Sequence, residues 1–315
     1  MANFNGTSKD DSLFGTLGND VMKGFGGSDG LNGRAGNDLL IGGAGMDFLV
    51  GGTGNDTLIG GTGVANSNGG AGDDLLSYDP GRGDIRFFTP ELARSELDGG
   101  VGRDTLRITN TTHVGSRDTD VIIGDRDAEG APSLSITFGI DDNNAANDFD
   151  VGTISTIERI EVFGTGRLIY SPGFFDRFDV EIVGTGKNDF FGSGTGDETL
   201  IGKGGNDDFF ISGNDTIISE KNDADIFHLS ASTIVEVVPG DSTVTGFNGA
   251  GVKGGDRIMI GTPDGDPGDY RLDVSVVGKT TVFSLTTPDS EFGENTNTLT
   301  VDAVGLVKGV DWFFG

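Results

Sequence analysis

The feature that most constrains this chain is a nine-residue repeat of glycine and aspartate near its N-terminus. Residues 33–60 read GRAGNDLLI, GGAGMDFLV and GGTGNDTLI, followed by one more glycine. Glycine costs about 1 kcal/mol relative to alanine inside a helix, so a repeat this rich in glycine disfavours helix and indicates turns in which φ is positive. The repeat therefore predicts short strands that are joined by tight turns.

Each repeat keeps one aspartate and one large apolar residue in fixed positions, which gives the unit GGxGxDxUx. The aspartates are Asp11, Asp20, Asp29, Asp38, Asp47, Asp56 and Asp74. The apolar residues follow two positions later, at Leu13, Met22, Leu31, Leu40, Leu49, Leu58 and Leu76. The repeat that holds Ala65 and Ser67 is degenerate. Strands of three or four residues bury too little surface alone, so they must stack on one another.

The charge and the side-chain inventory restrict the ligands that such a chain can bind. It has 50 Asp and Glu residues against 21 Lys and Arg, a net charge of −29, with no cysteine and two histidines, His113 and His228. This acidity excludes the basic surface that nucleic acids and anionic membranes require. It also opposes compaction unless cations bind. Without cysteine or a histidine cluster, any metal must be held by oxygen.

These nonapeptides resemble the RTX, or haemolysin-type, calcium-binding repeats. The resemblance implies an all-β fold, a parallel β-roll or β-solenoid with calcium in the GGxGxD turns plus additional β-rich segments. Ca²⁺ is a hard cation that takes about 6–8 oxygen ligands, which the turns can supply. In the family two nonapeptides form one coil, so turns that are two repeats apart share an ion. One flank would then carry Asp20, Asp38, Asp56 and Asp74, and the other Asp11, Asp29 and Asp47, with a site lost at Ala65.

A second, shorter copy of the repeat follows at 184–226. Asp189, Glu198 and Asp207 are nine residues apart, and Phe191 and Phe209 are two repeats apart. The spacing predicts an ion between Asp189 and Asp207 above a ladder of phenylalanines. Glu198 departs from the pattern, and Thr216 holds the next position of its flank, so the sequence does not support calcium there.

The remaining segments predict further strands. We divide the chain into a first roll (1–78), a β-rich segment (79–183), a second roll (184–226) and a C-terminal β-rich cap (227–315). EVFGTG at 161–166 and EIVGTG at 181–186 predict two rungs continuous with the second roll. The cap is expected to be antiparallel, and its last residues, LVKGVDWFFG, resemble uncleaved type I secretion signals. The acidic loops 141–150 and 264–269 stay open between calcium sites and solvated loops.

No motif for enzymatic chemistry was found. The chain lacks GxSxG and HExxH, and its two histidines are distant in sequence, so we expect no enzyme. The N-terminal MANFNGTSKDDSLFG lacks the charged and apolar regions of a signal peptide, and no stretch predicts a membrane span.

We therefore expect an extracellular or cell-surface protein, secreted without an N-terminal signal peptide and with calcium as its cofactor. It would self-associate as part of a surface layer, matrix, filament or adhesin. The alternative is a polysaccharide-binding or polysaccharide-modifying protein with a cell-surface glycan as its partner.

Overall fold

The structure is a computed structural model. The chain forms two compact units, Met1–Gly166 and Arg167–Gly315. The described residues are 1–79, 95–110, 113–114, 117–118, 120–125, 134–139, 149–171, 179–194, 196–220, 223–230, 240–248, 255–261, 270–286, 296–309 and 311–314. The acidic loop 264–269, and all of the loop 141–150 except its last two residues, lie outside them. Among the described residues there is no helix that could cross a membrane.

The first unit consists of strands. Their bounds are β1 Ala2–Asn5, β2 Ser12–Phe14, β3 Asp20–Gly26, β4 Gly30–Ala35, β5 Leu39–Thr53, β6 Thr57–Ala71, β7 Leu75–Tyr78, β8 Ser95–Val101, β9 Thr105–Asn110, β10 His113–Val114, β11 Arg117–Asp118, β12 Asp120–Asp125, β13 Leu134–Gly139, β14 Phe149–Ser155 and β15 Arg159–Gly164.

The repeats form a parallel β-roll in which two nonapeptides make up each coil. Leu40 of β5 is in register with Met22 of β3 on one side and with Leu58 of β6 on the other. On the opposite face of the roll, Leu31 of β4 is in register with Leu49 of β5. The predicted all-β fold and the pairing of turns that are two repeats apart are confirmed.

Two ladders of apolar side chains fill the interior of this roll. One face contributes Met22, Leu40, Leu58, Leu76, Leu106 and Ile160, and the other contributes Leu31, Leu49, Leu97 and Ile154. Burying each such side chain stabilises the fold by about 1.5–3 kcal/mol. Ser67 interrupts the second ladder and is itself buried. The alternating burial along each strand follows from the period of two in β-structure.

The second unit is also built from strands. Their bounds are β16 Leu168–Ser171, β17 Glu181–Val183, β18 Phe190–Gly192, β19 Thr199–Ile201, β20 Asp208–Ile211, β21 Thr216–Ile218, β22 Ile226–Ser230, β23 Asp241–Thr245, β24 Arg257–Gly261, β25 Arg271–Val277, β26 Thr280–Thr286, β27 Thr296–Val301 and β28 Trp312–Phe314.

The predicted phenylalanine ladder is present in this unit. The rings of Phe191 and Phe209 stack with centroids 4.8 Å apart and planes 5° from parallel, and Phe227 extends the stack at 5.3 Å. A rung spacing of about 4.8 Å is the distance between neighbouring strands, so successive rings meet face to face. Ile258 and Trp312 continue the register beyond Phe227.

The expectation of an antiparallel cap at 227–315 was wrong for most of its described strands. Strands β22, β24 and β28 pair in parallel, because their apolar residues continue the interior ladder of the roll. Only β25, β26 and β27 form an antiparallel meander, and β27 returns to parallel pairing with β23. The coils here are longer than two nonapeptides, and the fixed repeat length that would have revealed them is absent.

The two GTG-containing segments are both rungs, but of different units. Within EVFGTG, β15 pairs in parallel with β9 of the first unit. Within EIVGTG, β17 pairs in parallel with β19 of the second unit. Both segments are therefore rungs of parallel β-structure, as the sequence predicted.

Candidate calcium sites

The shape of each turn depends on glycine at defined positions. In the turn that ends at Asp56, Gly52 and Gly54 have φ of 114° and 120°, which side chains disfavour. The first glycine of a turn is required for space: a Cβ on Gly42 would lie 2.5 Å from Asp47 Oδ2 and 2.7 Å from the carbonyl oxygen of Gly60. A carboxylate and the carbonyl of the next coil thus face the same point.

A ladder of aspartates links the coils along one flank of the first roll. The amide of Asp20 donates to Asp38 Oδ1 at 2.7 Å, and that of Asp38 donates to Asp56 Oδ1 at 2.8 Å. Asp56 donates to Asp74 at 2.7 Å, and Asp74 donates to Asp104 at 2.8 Å. The structure thus brings together all four aspartates that the sequence assigned to this flank and adds Asp104.

The other flank carries a shorter ladder. The amide of Asp11 donates to Asp29 Oδ1 at 2.8 Å, and the amide of Asp29 donates to Asp47 Oδ1 at 3.0 Å. The ladder of carboxylates stops at the next coil, where Ala65 is buried and its amide donates to Ser95 Oγ at 3.3 Å.

The second roll has an equivalent ladder on one flank. The amide of Asp189 donates to Asp207 Oδ1 at 2.8 Å, as their spacing of two repeats predicted. The ladder then continues through Asp225 and Asp256, with bonds of 2.8 and 3.0 Å. One oxygen of each of Asp223, Asp225 and Asp256 lies within 4.8 Å of the other two.

A second ladder, which the sequence analysis did not identify, runs beside the aspartates in the opposite direction. The amide of Asn37 donates to Asn19 Oδ1 at 2.9 Å, and that of Asn55 donates to Asn37 Oδ1 at 3.1 Å. Asp73 donates in turn to Asn55 at 3.2 Å. Adjacent coils are therefore joined by hydrogen bonds that run in both directions along the roll. The recurring GND of the sequence could have predicted this second ladder.

The residue at the second position of the turn determines whether the aspartate keeps a free oxygen. In Gly-Thr turns the threonine caps its own aspartate: Thr16 donates to Asp20 Oδ2 from its amide at 2.6 Å and from its hydroxyl at 2.8 Å. The amides of Thr7 and Thr185 donate to Oδ2 of Asp11 and Asp189 in the same way, and the Thr185 hydroxyl donates to Asp189 Oδ1.

Turns with a positive φ at the second position leave the second carboxylate oxygen buried and without a donor. This holds for Asp29, Asp38, Asp47, Asp56, Asp74, Asp104 and Asp207. A buried carboxylate oxygen without a partner is costly, and a cation removes that cost. Together with the glycine carbonyl oxygens, these atoms form the hard, all-oxygen donor set that Ca²⁺ prefers.

The pKa values of these carboxyl groups depend on their burial and on the hydrogen bonds that they accept. Burial raises the pKa of Asp56, Asp74 and Asp104 to about 6, against the opposing effect of the amide that each accepts. Burial and the neighbouring carboxylates raise the pKa of Asp207 to about 9. In contrast, hydrogen bonds, chiefly from the Thr16 amide, lower the pKa of Asp20. A bound cation would favour the ionised form of each carboxylate.

The sequence analysis missed Asp104, Asp225 and Asp256 as members of the ladders. Asp104 belongs to an intact GGVGRD turn, but its distance from Asp74 in the sequence is longer than two repeats. The segment before Asp225 has no glycine, and the Gly254-Gly255 pair before Asp256 does not stand where GGxGxD places it. The signal that all three share is an apolar residue two positions later, at Leu106, Phe227 and Ile258.

Comparison with known proteins agrees with this geometry. A family model for the RTX calcium-binding nonapeptide repeat, in four copies, matches residues 5–40, 41–76 and 181–209. No curated protein matches the chain. The matched residues hold the nine aspartates that the sequence analysis selected. The chain is therefore all-β and contains RTX nonapeptide repeats, which bind calcium.

Proposed function

We propose that this chain is a secreted structural protein whose rolls fold on calcium outside the cell and then associate end to end. The observation that carries the proposal is the set of seven buried carboxylate oxygens that lack a donor, distributed over the aspartate ladders of both rolls. Such a set is unfavourable in a chain of net charge −29 unless cations bind between the coils. Calcium thus acts as a condition of folding.

The same linkage supports secretion. Ions that bind only the folded roll stabilise it by RT ln(1 + [Ca]/Kd) for each site, which is about 2.7 kcal/mol when calcium is at 100 times Kd. At the low calcium of a cytosol the chain would stay unfolded, in the state in which it can be exported as a thread. At the higher calcium outside, it would fold. RTX repeats are typical of proteins that leave the cell by type I secretion.

The edges of the first roll support self-association. Among the described strands, β1 pairs only with β3 and β2 only with β4, so the outer backbone edges of β1 and β2 stay open. Open strand edges are templates for pairing with another chain. An interface between unlike ends generates a filament when the rotation between successive copies does not close into a ring. We therefore infer a surface layer, matrix, filament or adhesin component without catalytic activity.

The experiment separates folding from assembly. Circular dichroism in chelator and in millimolar calcium reports folding, and sedimentation velocity with electron microscopy reports assembly. We expect disorder in chelator and strand-rich particles far heavier than the monomer in calcium. A calcium-folded chain that sediments as a monomer would contradict assembly while leaving calcium-dependent folding intact.

A groove in the second unit favours a second candidate function, the binding of a neutral glycan. Phe210, His228, Met259 and Phe313 are among the residues that line a groove of about 410 Å³. Exposed aromatic and apolar side chains beside polar groups are a common setting for glycans, and the acidic chain would repel anionic ones. Saturable glycan binding that Phe210→Ala abolishes, without a change in calcium-induced folding, would support this function over assembly.

A further inference from the structure

The second flank of the second roll is built differently from the flanks that carry the aspartate ladders. Glu198 and Asp215 occupy its two turns, and each side chain is only 1% exposed. The amide of Glu198 donates to Asp215 Oδ1 at 3.2 Å. Six residues separate β18 from β19, but only four separate β20 from β21. The next coil offers Ser242 in place of a carboxylate.

The two buried side chains are neighbours across adjacent coils, and a hydrogen bond between their carboxyl groups contributes to the raised pKa of Glu198. Glu198 Oε1 accepts the Gly194 amide at 3.2 Å, while Glu198 Oε2 and Asp215 Oδ2 are buried and have no donor. In the aspartate ladders the free oxygen faces a glycine carbonyl instead. Here a single proton between the two free oxygens would satisfy both at once.

Serine hydroxyls donate hydrogen bonds to backbone carbonyl oxygens beside this pair. Ser212 Oγ donates to the Gly194 carbonyl at 2.8 Å, and Ser193 Oγ lies 3.0 Å from the Ser212 carbonyl. The turns at Glu198 and Asp215 therefore already satisfy part of the backbone oxygen set that a calcium ion would need.

The described charged groups along this flank are exposed carboxylates. Asp179 accepts the Asp197 amide, Asp197 accepts the Asn214 side-chain amide, and Asp241 accepts the Thr298 hydroxyl. On the core side the pair meets the strands of Leu200 and Ile217. Burial, and then the Asp215 carboxylate, raise the pKa of Glu198, and no basic side chain among the described residues opposes that rise.

We propose that a proton shared between Glu198 and Asp215, and not a calcium ion, closes this flank of the second roll. The roll is then held by calcium on one side and by a carboxylic acid to carboxylate hydrogen bond on the other. Glu198 is ionised in the unfolded chain at neutral pH, so folding takes up a proton there. This proton uptake is separate from any proton release that accompanies calcium binding at the aspartate ladders.

The test measures protons and calcium ions together in the full-length chain. Calcium is titrated into chelated protein at pH 7 by calorimetry in two buffers of different ionisation heat, which gives the protons exchanged. Glu198→Gln keeps the hydrogen bond, because the amide donates to Asp215. We expect wild type to take up about one proton more than this variant on folding, with an unchanged number of calcium ions bound. Asp207→Asn, on the other flank, should instead bind fewer ions.

A second variant guards against a local failure of the first. In Asp215→Asn the amide donates to an ionised Glu198, so the extra proton should again be lost and the ion count kept. An equal proton balance in wild type and variants would overturn the proposal, and so would the loss of a calcium ion in either variant. Failure of both variants to fold in calcium would also overturn it, since both amides are isosteres that supply the proposed bond.

Discussion

At the scale of single residues, the second position of the turn decides what the aspartate can do. Threonine there caps the carboxylate, whereas a residue with positive φ leaves one of its oxygens free. Phe25, Arg34 and Lys203 take this conformation with φ of 77°, 76° and 69°. For a residue with a Cβ this costs about 1–3 kcal/mol, and only the surrounding coils can maintain it.

We expect Lys203→Gly to stabilise the calcium-bound protein by about 1 kcal/mol, because glycine adopts positive φ without that strain. Urea denaturation in saturating calcium measures the change. Lys23→Gly, at a strand position without positive φ, is the control and should destabilise by about 0.5–1 kcal/mol. Destabilisation by both substitutions would show that strain at Lys203 is not the dominant effect.

We also expect Asp56→Asn to raise the calcium midpoint of folding more than Asp20→Asn. Asp56 loses a free buried oxygen that is suited to the ion, whereas the corresponding oxygen of Asp20 is already bonded to Thr16. Asparagine keeps the Oδ1 acceptor of the ladder in both variants. Calcium titrations followed by circular dichroism compare the two midpoints, and equal midpoints would contradict the distinction between the turns.

At the scale of elements, the sequence predicted strands, turns and registers wherever the repeat length was nine. The facing leucine ladders and the stack of Phe191 on Phe209 follow from that count. It fails where a coil is longer: Asp74 looked like the end of its flank, but it donates to Asp104 and is therefore internal. Asp104 and Asp225 were not recognised because insertions or missing glycines hide the turn, while the aspartate and its apolar partner remain.

The glycine that opens each turn gives the prediction at this scale. Gly51→Ala would place a Cβ against Asp56 Oδ2 and the Gly69 carbonyl oxygen, whereas Gly18→Ala meets nothing within 4 Å. We expect Gly51→Ala to weaken calcium-induced folding by several-fold in midpoint, and Gly18→Ala to change stability by less than about 0.5 kcal/mol. Calcium titration and thermal melts measure both variants. Similar behaviour of the two would show that crowding at Gly51 is relieved by the backbone.

At the scale of the whole molecule, the dense negative charge makes stability depend on pH as well as on calcium. Burial raises the pKa of Asp56, Asp74 and Asp104 to about 6 in the metal-free fold. A group whose pKa is raised by folding contributes stability that is complete below its unfolded value, near 4, and lost as pH rises through 6. Protons therefore stand in for calcium in acid.

In chelator we expect more strand signal at pH 4.5 than at pH 7.5, measured by far-ultraviolet circular dichroism. In calcium the trend reverses, and a higher calcium concentration is needed at low pH because protons compete for the same oxygens. A triple variant with asparagine at positions 56, 74 and 104 controls for the general loss of charge in acid. If it keeps the full pH dependence, these three groups are not its source.

The paired ladders of opposite polarity also have a mechanical consequence. The amide of Asp20 donates to the Asp38 side chain of the following coil, whereas the amide of Asn37 donates to the Asn19 side chain of the preceding coil. Neighbouring coils are therefore joined by hydrogen bonds that run in both directions along the roll. Tension that peels the first roll from either terminus therefore meets the same kinds of bonds. A fibre made of such rolls would resist unravelling equally from its two ends.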